Sequence, residues 1–208
     1  MRARCPSILK HLLRALYTAF MYLALPAIFL RLYWRGRKNP GYRHHWKERL
    51  GYTSFKTNQA IWLHAVSLGE SIAAQPLIEM LLKTCPHHPL VITNTTPTGR
   101  AAIHNKFKEQ VFSTYLPYDI SSLIRRFLKN TQPICVILME TELWPTLLAI
   151  TQRQGIPSLL ANARLSEKSY RRYLRFQWLT EDMLLAISQI AAQHTADAER
   201  FIKLGYPA

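Results

Sequence analysis

The sequence Ala60-Ile61-Trp62-Leu63-His64-Ala65-Val66 is a largely apolar run that leads directly into the turn Ser67-Leu68-Gly69-Glu70. A helical pattern begins at Ser71 and continues to Ile78. A buried strand that passes through a short glycine turn into a helix is typical of a parallel sheet. In open α/β folds, ligands bind beyond the carboxyl ends of such strands. The stretch therefore predicts that Glu70 lies at the carboxyl edge of a sheet.

Glu70 has two interpretations from this segment alone. Its carboxylate lies beside the exposed backbone N–H groups of a helix N-terminus, where anionic substrates bind, and it is suited to take a proton from a hydroxyl group. Alternatively, it is only an acidic residue in the first turn that complements the helix dipole. The segment leaves both interpretations open.

From residue 60 onward, short apolar runs alternate with longer amphipathic ones, which predicts an α/β fold with a doubly wound parallel sheet covered by helices on both faces. The predicted strands are residues 60–66, 90–93, 111–115, 134–139, 158–161 and 185–191. The predicted helices are residues 71–83, 98–108, 120–129, 144–154, 167–178 and 195–204. We divide the chain into two parts. Residues 1–50 form a basic N-terminal segment, and residues 51–208 form the predicted sheet domain.

Polar residues follow five of the predicted strands. Right-handed crossovers bring the carboxyl ends of parallel strands to one edge of the sheet, so we expect these loops to meet at one crevice. The loops are residues 67–70, 94–99, 116–119, 140–145 and 162–166.

The loop at residues 94–99 contains Thr96, Thr98 and Gly99, which place hydroxyl groups and a small residue at the start of a helix. This arrangement suits the binding of a phosphate or of sugar hydroxyls, and capping of the helix explains it equally well. No Gly-Lys-Ser/Thr sequence follows, so the loop is not a nucleotide-binding P-loop.

Glu140 and Glu142 follow a buried apolar strand, where a carboxylate costs several kcal/mol unless it is paired or hydrogen-bonded. Arg164, after the neighbouring strand, is the expected partner, and the pair is either structural or orients a ligand. Asn162 and Arg164 together offer an amide and a guanidinium group, which suit a carboxylate or a phosphate.

Residues 1–50 carry eleven Lys or Arg side chains and one acidic side chain, so they hold +10 of the formal net charge of +15. Sixteen uncharged residues, 15–30, are fewer than the roughly 20 that a spanning helix needs. With basic residues at both ends and aromatic residues suited to the headgroup level, we expect a helix in or against an anionic cytoplasmic leaflet. An apolar core helix with a solvated basic tail is the alternative. Residues 170–176 form a second basic and aromatic helix, either solvated or bound to anionic headgroups.

The three cysteines, Cys5, Cys85 and Cys135, show no paired spacing, which favours a reducing compartment. The eight histidines show no metal-ligand spacing, so we expect no metal ion. The basic residues flank a lipid-like stretch, and no nucleic-acid-binding motif accompanies them, so nucleic acid is not an expected partner.

Taken together, these segments resemble the 3-deoxy-D-manno-octulosonic acid (Kdo) transferases of lipopolysaccharide synthesis, which are membrane-associated glycosyltransferases of the GT-B type. The matching stretches run nearly end to end in the expected order. They are residues 33–38, 42–43, 46–49, 64–70, 95–99, 115–119, 139–145 and 162–166. The resemblance implies a Rossmann-like N-terminal domain that binds the acceptor.

The resemblance also implies an inverting transfer of Kdo from CMP-Kdo to lipid IVA, the tetra-acylated precursor of lipid A, at the cytoplasmic face of the inner membrane. Glu70 matches the family's general base, and no cofactor is expected. The matching loops contain our candidate substrate-binding residues, which are Ser67, Gly69, Thr96, Thr98, Gly99, Glu140, Glu142, Asn162 and Arg164.

Proteins of this family have a second Rossmann-like half that binds the CMP part of the donor, and its motifs are not found in residues 1–208. We therefore expect the chain to be the N-terminal half of such an enzyme. The alternative is a non-catalytic, membrane-bound module that binds a lipid A precursor or a partner protein.

Overall fold

The computed structural model describes residues 7–207, and side chains from residue 15 onward. Arg2, Arg4 and Cys5, which contribute to the basic segment and to the cysteine pattern discussed above, lie outside the described residues. The chain forms a parallel sheet of six strands in the spatial order β3-β2-β1-β4-β5-β6. The strands are β1 (Ala60–His64), β2 (Leu90–Asn94), β3 (Phe112–Tyr115), β4 (Pro133–Met139), β5 (Ser158–Ala163) and β6 (Gln189–Ala192).

Helices connect and cover these strands, which confirms the predicted α/β fold. The helices are α1 (Ser7–Arg35), α2 (Trp46–Arg49), α3 (Leu68–Thr84), α4 (Pro97–Phe107), α5 (Ser121–Thr131), α6 (Pro145–Arg153), α7 (Glu167–Arg175), α8 (Gln177–Leu185) and α9 (Thr195–Lys203). Two short 3₁₀ segments lie at Pro40–Arg43 and Lys108–Gln110.

The order of strands reverses at β1, because β2 and β3 extend the sheet on one side and β4, β5 and β6 on the other. All five residues of β1 are buried, as expected for a strand that pairs on both sides and is covered on both faces. The loops after β1 and β4 therefore border the topological switch point, where open α/β sheets form their binding crevice.

The two faces of the sheet bury separate apolar clusters, and alternate residues of β1 serve them. Trp62 packs with Phe127 and Leu147, on the face covered by α5 and α6. Leu63 packs with Ile78 and Ile103, on the face covered by α3 and α4.

The chain after β5 differs from the sequence prediction. The helix predicted at residues 167–178 is two helices, because Phe176 has non-helical dihedral angles. The hydroxyl of Thr180 donates to the carbonyl groups of Tyr173 and Phe176, which stabilises the break. The predicted start of the sixth strand at residue 185 is also wrong, because Leu185 ends α8 and the strand begins at Gln189.

Helix α1 lies along the domain and contacts it at separate points along its length. At one of them, the hydroxyl of Tyr17 donates to Asp119 Oδ2 at 3.0 Å. Further along, the ring of Phe29 lies 5.1 Å from that of Trp46 and 5.9 Å from that of Tyr118, measured between centroids. The part of α1 from Ala15 to Arg35 is long and apolar enough to cross a membrane.

The outer side of α1 is not covered by the rest of the described chain. It exposes large apolar side chains that a soluble surface rarely presents together. They are Leu16, Phe20, Leu23, Leu30 and Trp34.

Candidate active site

Glu70 lies in the first turn of α3, directly after β1, and its side chain is only 7 % exposed. Its Oε2 atom accepts a hydrogen bond from the backbone N–H of Val66 at 2.8 Å, and its Oε1 atom accepts one from the hydroxyl of Ser67 at 2.9 Å. Ser67 is in turn the N-cap of α3 and accepts from the backbone N–H of Glu70 at 3.4 Å. Both contacts hold the carboxylate in one orientation, and they confirm that Glu70 supports the helix N-terminus.

Glu140 and Glu142 occupy the loop after β4, on the other side of the switch point. Glu140 has a positive φ of 56°, and its backbone N–H donates to the carbonyl of Ala161 at 2.9 Å. Burial and the negative charge of Glu70 raise the pKa of Glu140, while the charge of Arg164 lowers it. The three glutamates therefore lie close enough to interact electrostatically, which unites the loops after β1 and β4.

Glu142 has the more strongly altered environment of these two acids. Burial, followed by the negative charge of Glu70, raises the pKa of Glu142 to about 7. A carboxyl group with this pKa is largely protonated at slightly acidic pH and serves as a hydrogen-bond donor there.

Arg164 does not pair with these acids in the way the sequence suggested. Its side chain is exposed, and no ion pair joins it to Glu140 or Glu142 among residues 15–207. The loops after β4 and β5 are linked by a different contact, in which the side-chain hydroxyl of Thr141 donates to the backbone carbonyl of Arg164. Asn162, half-buried within β5, has a positive φ of 53° and lies where the pairing of β5 with β6 is irregular, between Leu160 and Ala163.

The loop after β2 confirms the predicted cap of α4. Thr96 is the N-cap, and its hydroxyl accepts from the backbone N–H of Gly99 at 3.2 Å. Gly99 packs tightly against the start of α3, because a Cβ atom there would lie 2.9 Å from Ser71 Oγ and 3.0 Å from the carbonyl oxygen of Ser67. Thr98 stays exposed at the same helix start.

Gly69 differs from Gly99 in its surroundings. It is exposed, and a Cβ atom built on it would meet only Ser67 Oγ, at 3.9 Å. The open side of the candidate site therefore lies over Gly69, between the starts of α3 and α4 and the loop after β4.

The loop at residues 116–119, predicted to join the polar edge, has a structural role instead. The carboxylate of Asp119 is buried and accepts from the backbone N–H groups of Thr146 and Leu147 at 2.9 and 2.8 Å. These are orphan donors at the N-terminus of α6. Asp119 therefore caps α6 from a distance and also receives Tyr17 of α1.

Two polar residues at this edge were missed by sequence reasoning. His64 lies fully buried in β1, where Nδ1 is 3.0 Å from the carbonyl oxygen of Thr93, and burial lowers its pKa to about 4. Arg49 of α2 is also buried, and one guanidinium nitrogen donates to the carbonyl of Thr95 at 2.9 Å. Both lie in stretches that carry the resemblance, residues 46–49 and 64–70, but His64 stands within an apolar run and Arg49 within a basic segment, so neither was singled out as a site residue.

Within the described residues, no group of three or more His, Cys, Asp and Glu side chains could hold a metal ion. The arrangement is instead one of three carboxyl groups, flanked by hydroxyl groups and helix N-termini. Such a site can accept a proton from a bound hydroxyl group and orient a polar or anionic ligand.

Comparison with known proteins identifies relatives of the chain. Residues 44–208 match the family model described as 3-deoxy-D-manno-octulosonic-acid transferase (kdotransferase). The chain is 39 % identical to a 3-deoxy-D-manno-octulosonic acid transferase of Haemophilus influenzae, over 93 % of this chain and 46 % of the relative. It is 35 % identical to the transferase of the same name from Bordetella pertussis, over 92 % of this chain and 47 % of the relative.

A plant protein described as a probable mitochondrial 3-deoxy-D-manno-octulosonic acid transferase, from Arabidopsis thaliana, is 35 % identical over 92 % of this chain and 44 % of its own length. The chain thus spans about half the length of these curated relatives. The family match covers the sheet, the three glutamates and both capped helix starts. The chain therefore belongs to the 3-deoxy-D-manno-octulosonic acid transferase family.

Proposed function

We propose that this chain is the acceptor-binding half of a glycosyltransferase that transfers Kdo from CMP-Kdo to lipid IVA, with inversion, in lipopolysaccharide synthesis. Family membership supports the class of reaction, and the coverage of about half of each relative supports the assignment to one half. The observation that carries the proposal is the oriented carboxylate of Glu70 at the topological switch point.

In the proposed reaction, the acceptor hydroxyl attacks the anomeric carbon of Kdo from the face opposite the CMP group. The new bond forms between the hydroxyl oxygen and that carbon, while the bond from the carbon to the CMP phosphate oxygen breaks with its electron pair. The hydroxyl proton passes to Glu70. The N–H of Val66 and the hydroxyl of Ser67 each occupy one acceptor position on the carboxylate, so each oxygen keeps a lone pair for this proton.

Glu142 assists by remaining protonated in the lower part of the neutral range, where it adds no second negative charge beside Glu70. Glu70, whose carboxylate is oriented by two hydrogen bonds, is the proposed base, and Glu142 is a proposed neutral contact for a sugar hydroxyl.

The test is Glu70→Gln in the form of the protein that also carries a donor-binding half. We expect transfer of Kdo to fall by roughly 10² to 10⁴-fold, the range for loss of a general base, with binding of the lipid acceptor largely kept. The matched control is Glu79→Gln, an exposed glutamate of the same helix that pairs with Lys106 on the surface.

Because Glu70 also supports the N-terminus of α3, the unfolding temperature of each variant is measured in parallel. Loss of transfer by a folded Glu70→Gln protein, with Glu79→Gln unchanged, supports the proposal. Turnover of Glu70→Gln within a few-fold of the starting protein rejects Glu70 as the base.

We further propose that α1 places the domain on the cytoplasmic face of the inner membrane, lying in the plane of the bilayer surface. The support is its attachment to the domain at Tyr17 and Phe29 and the row of apolar side chains on its outer side. Leu23, which is 81 % exposed, is the most exposed of these.

Leu23→Glu tests this placement, because a carboxylate there would have to enter the acyl region or pull the helix away. We expect the affinity for vesicles that contain anionic phospholipid, measured by co-sedimentation, to fall about tenfold. Ile202→Glu, on the half-exposed surface of α9, is the control and should sediment like the starting protein. Equal sedimentation of Leu23→Glu would contradict the placement.

A further inference from the structure

The start of α6 is held by a carboxylate from another part of the chain. Its first residue, Pro145, has no backbone N–H, and the residue before it, Trp144, makes no capping hydrogen bond with its side chain in the described structure. The backbone N–H groups of Thr146 and Leu147 both donate to Asp119, to Oδ2 at 2.9 Å and to Oδ1 at 2.8 Å. One carboxylate therefore satisfies both of these orphan donors of the first turn.

The same carboxylate also receives α1. Asp119 is only 1 % exposed, and its Oδ2 atom accepts a third hydrogen bond, from the hydroxyl of Tyr17 at 3.0 Å. Burial raises the pKa of Asp119, whereas the two N–H groups of α6 and the Tyr17 hydroxyl lower it, so these three donors favour the charged form. Three segments that are distant in the sequence, α1, the loop after β3 and the start of α6, thus meet at one side chain.

The loop that carries Glu140 and Glu142 ends at this helix start. Only Leu143 and Trp144 separate Glu142 from Pro145, and both pack against the apolar cluster on the face covered by α5 and α6. At the other end of the loop, β4 is fixed in the sheet between β1 and β5. A connection this short follows any movement of its ends, because each residue spans at most about 3.6 Å. The position of α6 therefore determines where the carboxyl group of Glu142 lies.

We propose that Asp119 and Tyr17 are positioning residues for the transfer, because they hold the start of α6 and, through it, the loop that carries Glu142. This inference rests on the proposed function. Among the described residues, the hydrogen bonds of the Asp119 carboxylate go to α1 and α6, so it acts on the crevice through the helix. Tyr17 belongs to the helix that we place on the membrane, and its hydrogen bond links that helix to the loop after β4.

The first test is Asp119→Asn in the form of the protein that also carries a donor-binding half. The amide has the same shape, but in either orientation its NH₂ group faces a backbone N–H of α6. We expect kcat, expressed per folded protein, to fall at least about tenfold, because the loop no longer holds its geometry.

The matched control for this variant is Thr151→Val. It removes a buried hydroxyl that donates to two carbonyl groups of the same helix, but it leaves the start of α6 unchanged. We expect Thr151→Val to lower the unfolding temperature while kcat stays within about twofold of the starting protein.

A second readout does not depend on turnover. Carbon-13 NMR titration measures the pKa of Glu142, which burial and the charge of Glu70 raise to about 7. In Asp119→Asn this pKa should fall by at least about half a pH unit, because a displaced loop leaves the carboxyl group in contact with more water. The charges of the described chain that raise it are those of Glu70 and Glu140, so loss of the Asp119 charge alone is not the cause of such a fall. Thr151→Val should keep the starting value.

Tyr17→Phe tests the link to α1, because it removes only the hydroxyl that donates to Asp119. Its matched control is Tyr22→Phe, on the same helix, which removes a hydroxyl that lies 2.7 Å from Ser122 Oγ. We expect Tyr17→Phe to lower kcat by about two- to fivefold and to lower the pKa of Glu142, and Tyr22→Phe to change neither. Tyr17→Phe added to Asp119→Asn should cause little further loss, because both act through one contact.

The proposal requires both a lower kcat and a lower pKa of Glu142 in Asp119→Asn, and the absence of either in the folded variant overturns it. Equal losses in Thr151→Val, or equal effects of Tyr17→Phe and Tyr22→Phe, would overturn it as well. If Asp119→Asn does not fold, the two tyrosine variants decide, since they leave the carboxylate in place. An active Glu70→Gln enzyme would reject the proposed base, but the titration of Glu142 needs neither donor nor acceptor. The two failures are therefore distinguishable.

Discussion

The loops after β1 and β4 border the same crevice, but they hold their carboxylates in different ways. In the loop after β1, both oxygens of Glu70 accept hydrogen bonds, and the neighbouring starts of α3 and α4 touch through Gly99. In the loop after β4, Glu140 adopts a positive φ, and Glu142 is buried with its pKa raised to about 7. One side is a rigid, capped helix start, whereas the other is a turn that concentrates negative charge.

We propose that the two loops have different roles on the two sides of the switch point. A carboxylate that must take a proton from one particular hydroxyl group benefits from a fixed orientation. A carboxyl group whose protonation changes near neutral pH alters the charge of the crevice instead. The predictions that follow test whether the rigid side and the titrating side behave as differently as their geometry suggests.

The largest expected effect separates the two sides by activity. Glu70→Gln should lower the rate of Kdo transfer by roughly 10² to 10⁴-fold, whereas Glu142→Gln should lower it by less than about tenfold, because an amide still offers a hydrogen-bond donor. Initial rates with radiolabelled or mass-tagged acceptor provide the measurement. Equal losses in the two variants would remove the distinction between the two loops.

The second prediction concerns the tight packing on the β1 side. Gly99→Ala should lower the free energy of unfolding by about 1 to 3 kcal/mol, because the added methyl group would overlap Ser71 and the backbone of Ser67. Gly69→Ala, at the exposed glycine of the same edge, should be neutral or stabilising by up to about 1 kcal/mol. Urea unfolding of both variants checks this, and similar losses would show that the two helix starts are not in close contact.

The third prediction uses the pKa of Glu142. Because its folded-state pKa of about 7 exceeds the ordinary value of 4.5, the folded protein loses stability as the pH rises through the range between these values. Glu142→Gln removes this loss, so it should stabilise the protein at pH 8 by roughly 2 kcal/mol more than at pH 5.

Chemical unfolding of Glu142→Gln at the two pH values is the measurement. Glu140→Gln, on the same loop, is the control and should show a smaller difference, because the charge of Arg164 opposes the rise in the pKa of Glu140. A gain by Glu142→Gln that is independent of pH would contradict the raised pKa.

The smallest effect is expected at the rim of the β4 side. Arg164→Gln should change the free energy of unfolding by less than about 0.5 kcal/mol, because Arg164 is exposed and forms no ion pair with either glutamate in the described chain. It should still raise the pKa of Glu140 slightly, because the positive charge that lowers it is removed. Carbon-13 NMR titration of the Glu140 carboxyl group measures this shift.

Much of the fold could be predicted from the sequence because buried parallel strands appear as continuous apolar runs. The runs at residues 60–66, 90–93 and 134–139 correspond to β1, β2 and β4, which differ from them by only one or two residues at an end. The break between α7 and α8 could not be predicted, because no glycine or proline marks Phe176. A hydrogen bond from the hydroxyl of Thr180 to the carbonyl of Tyr173 accompanies the break instead.

Part of the candidate site could be predicted from the sequence for a similar reason. The polar loops at the strand ends are visible in the sequence, and chain topology alone brings Glu70 near Glu140 and Glu142. The ion pair of Arg164 was expected from proximity in the sheet, yet a hydrogen bond from the Thr141 hydroxyl to the carbonyl of Arg164 links the loops without it. The burial of Arg49 depends on α2 packing against β3, a contact between segments far apart in the sequence.

The attachment of α1 at both Tyr17 and Phe29 has a consequence for how a substrate arrives. Contacts at two separate points fix the direction of the helix relative to the domain, and with it the height and tilt of the crevice above any surface on which the helix rests. Under the proposed function, a lipid acceptor confined to that surface searches for Glu70 in two dimensions, at one depth.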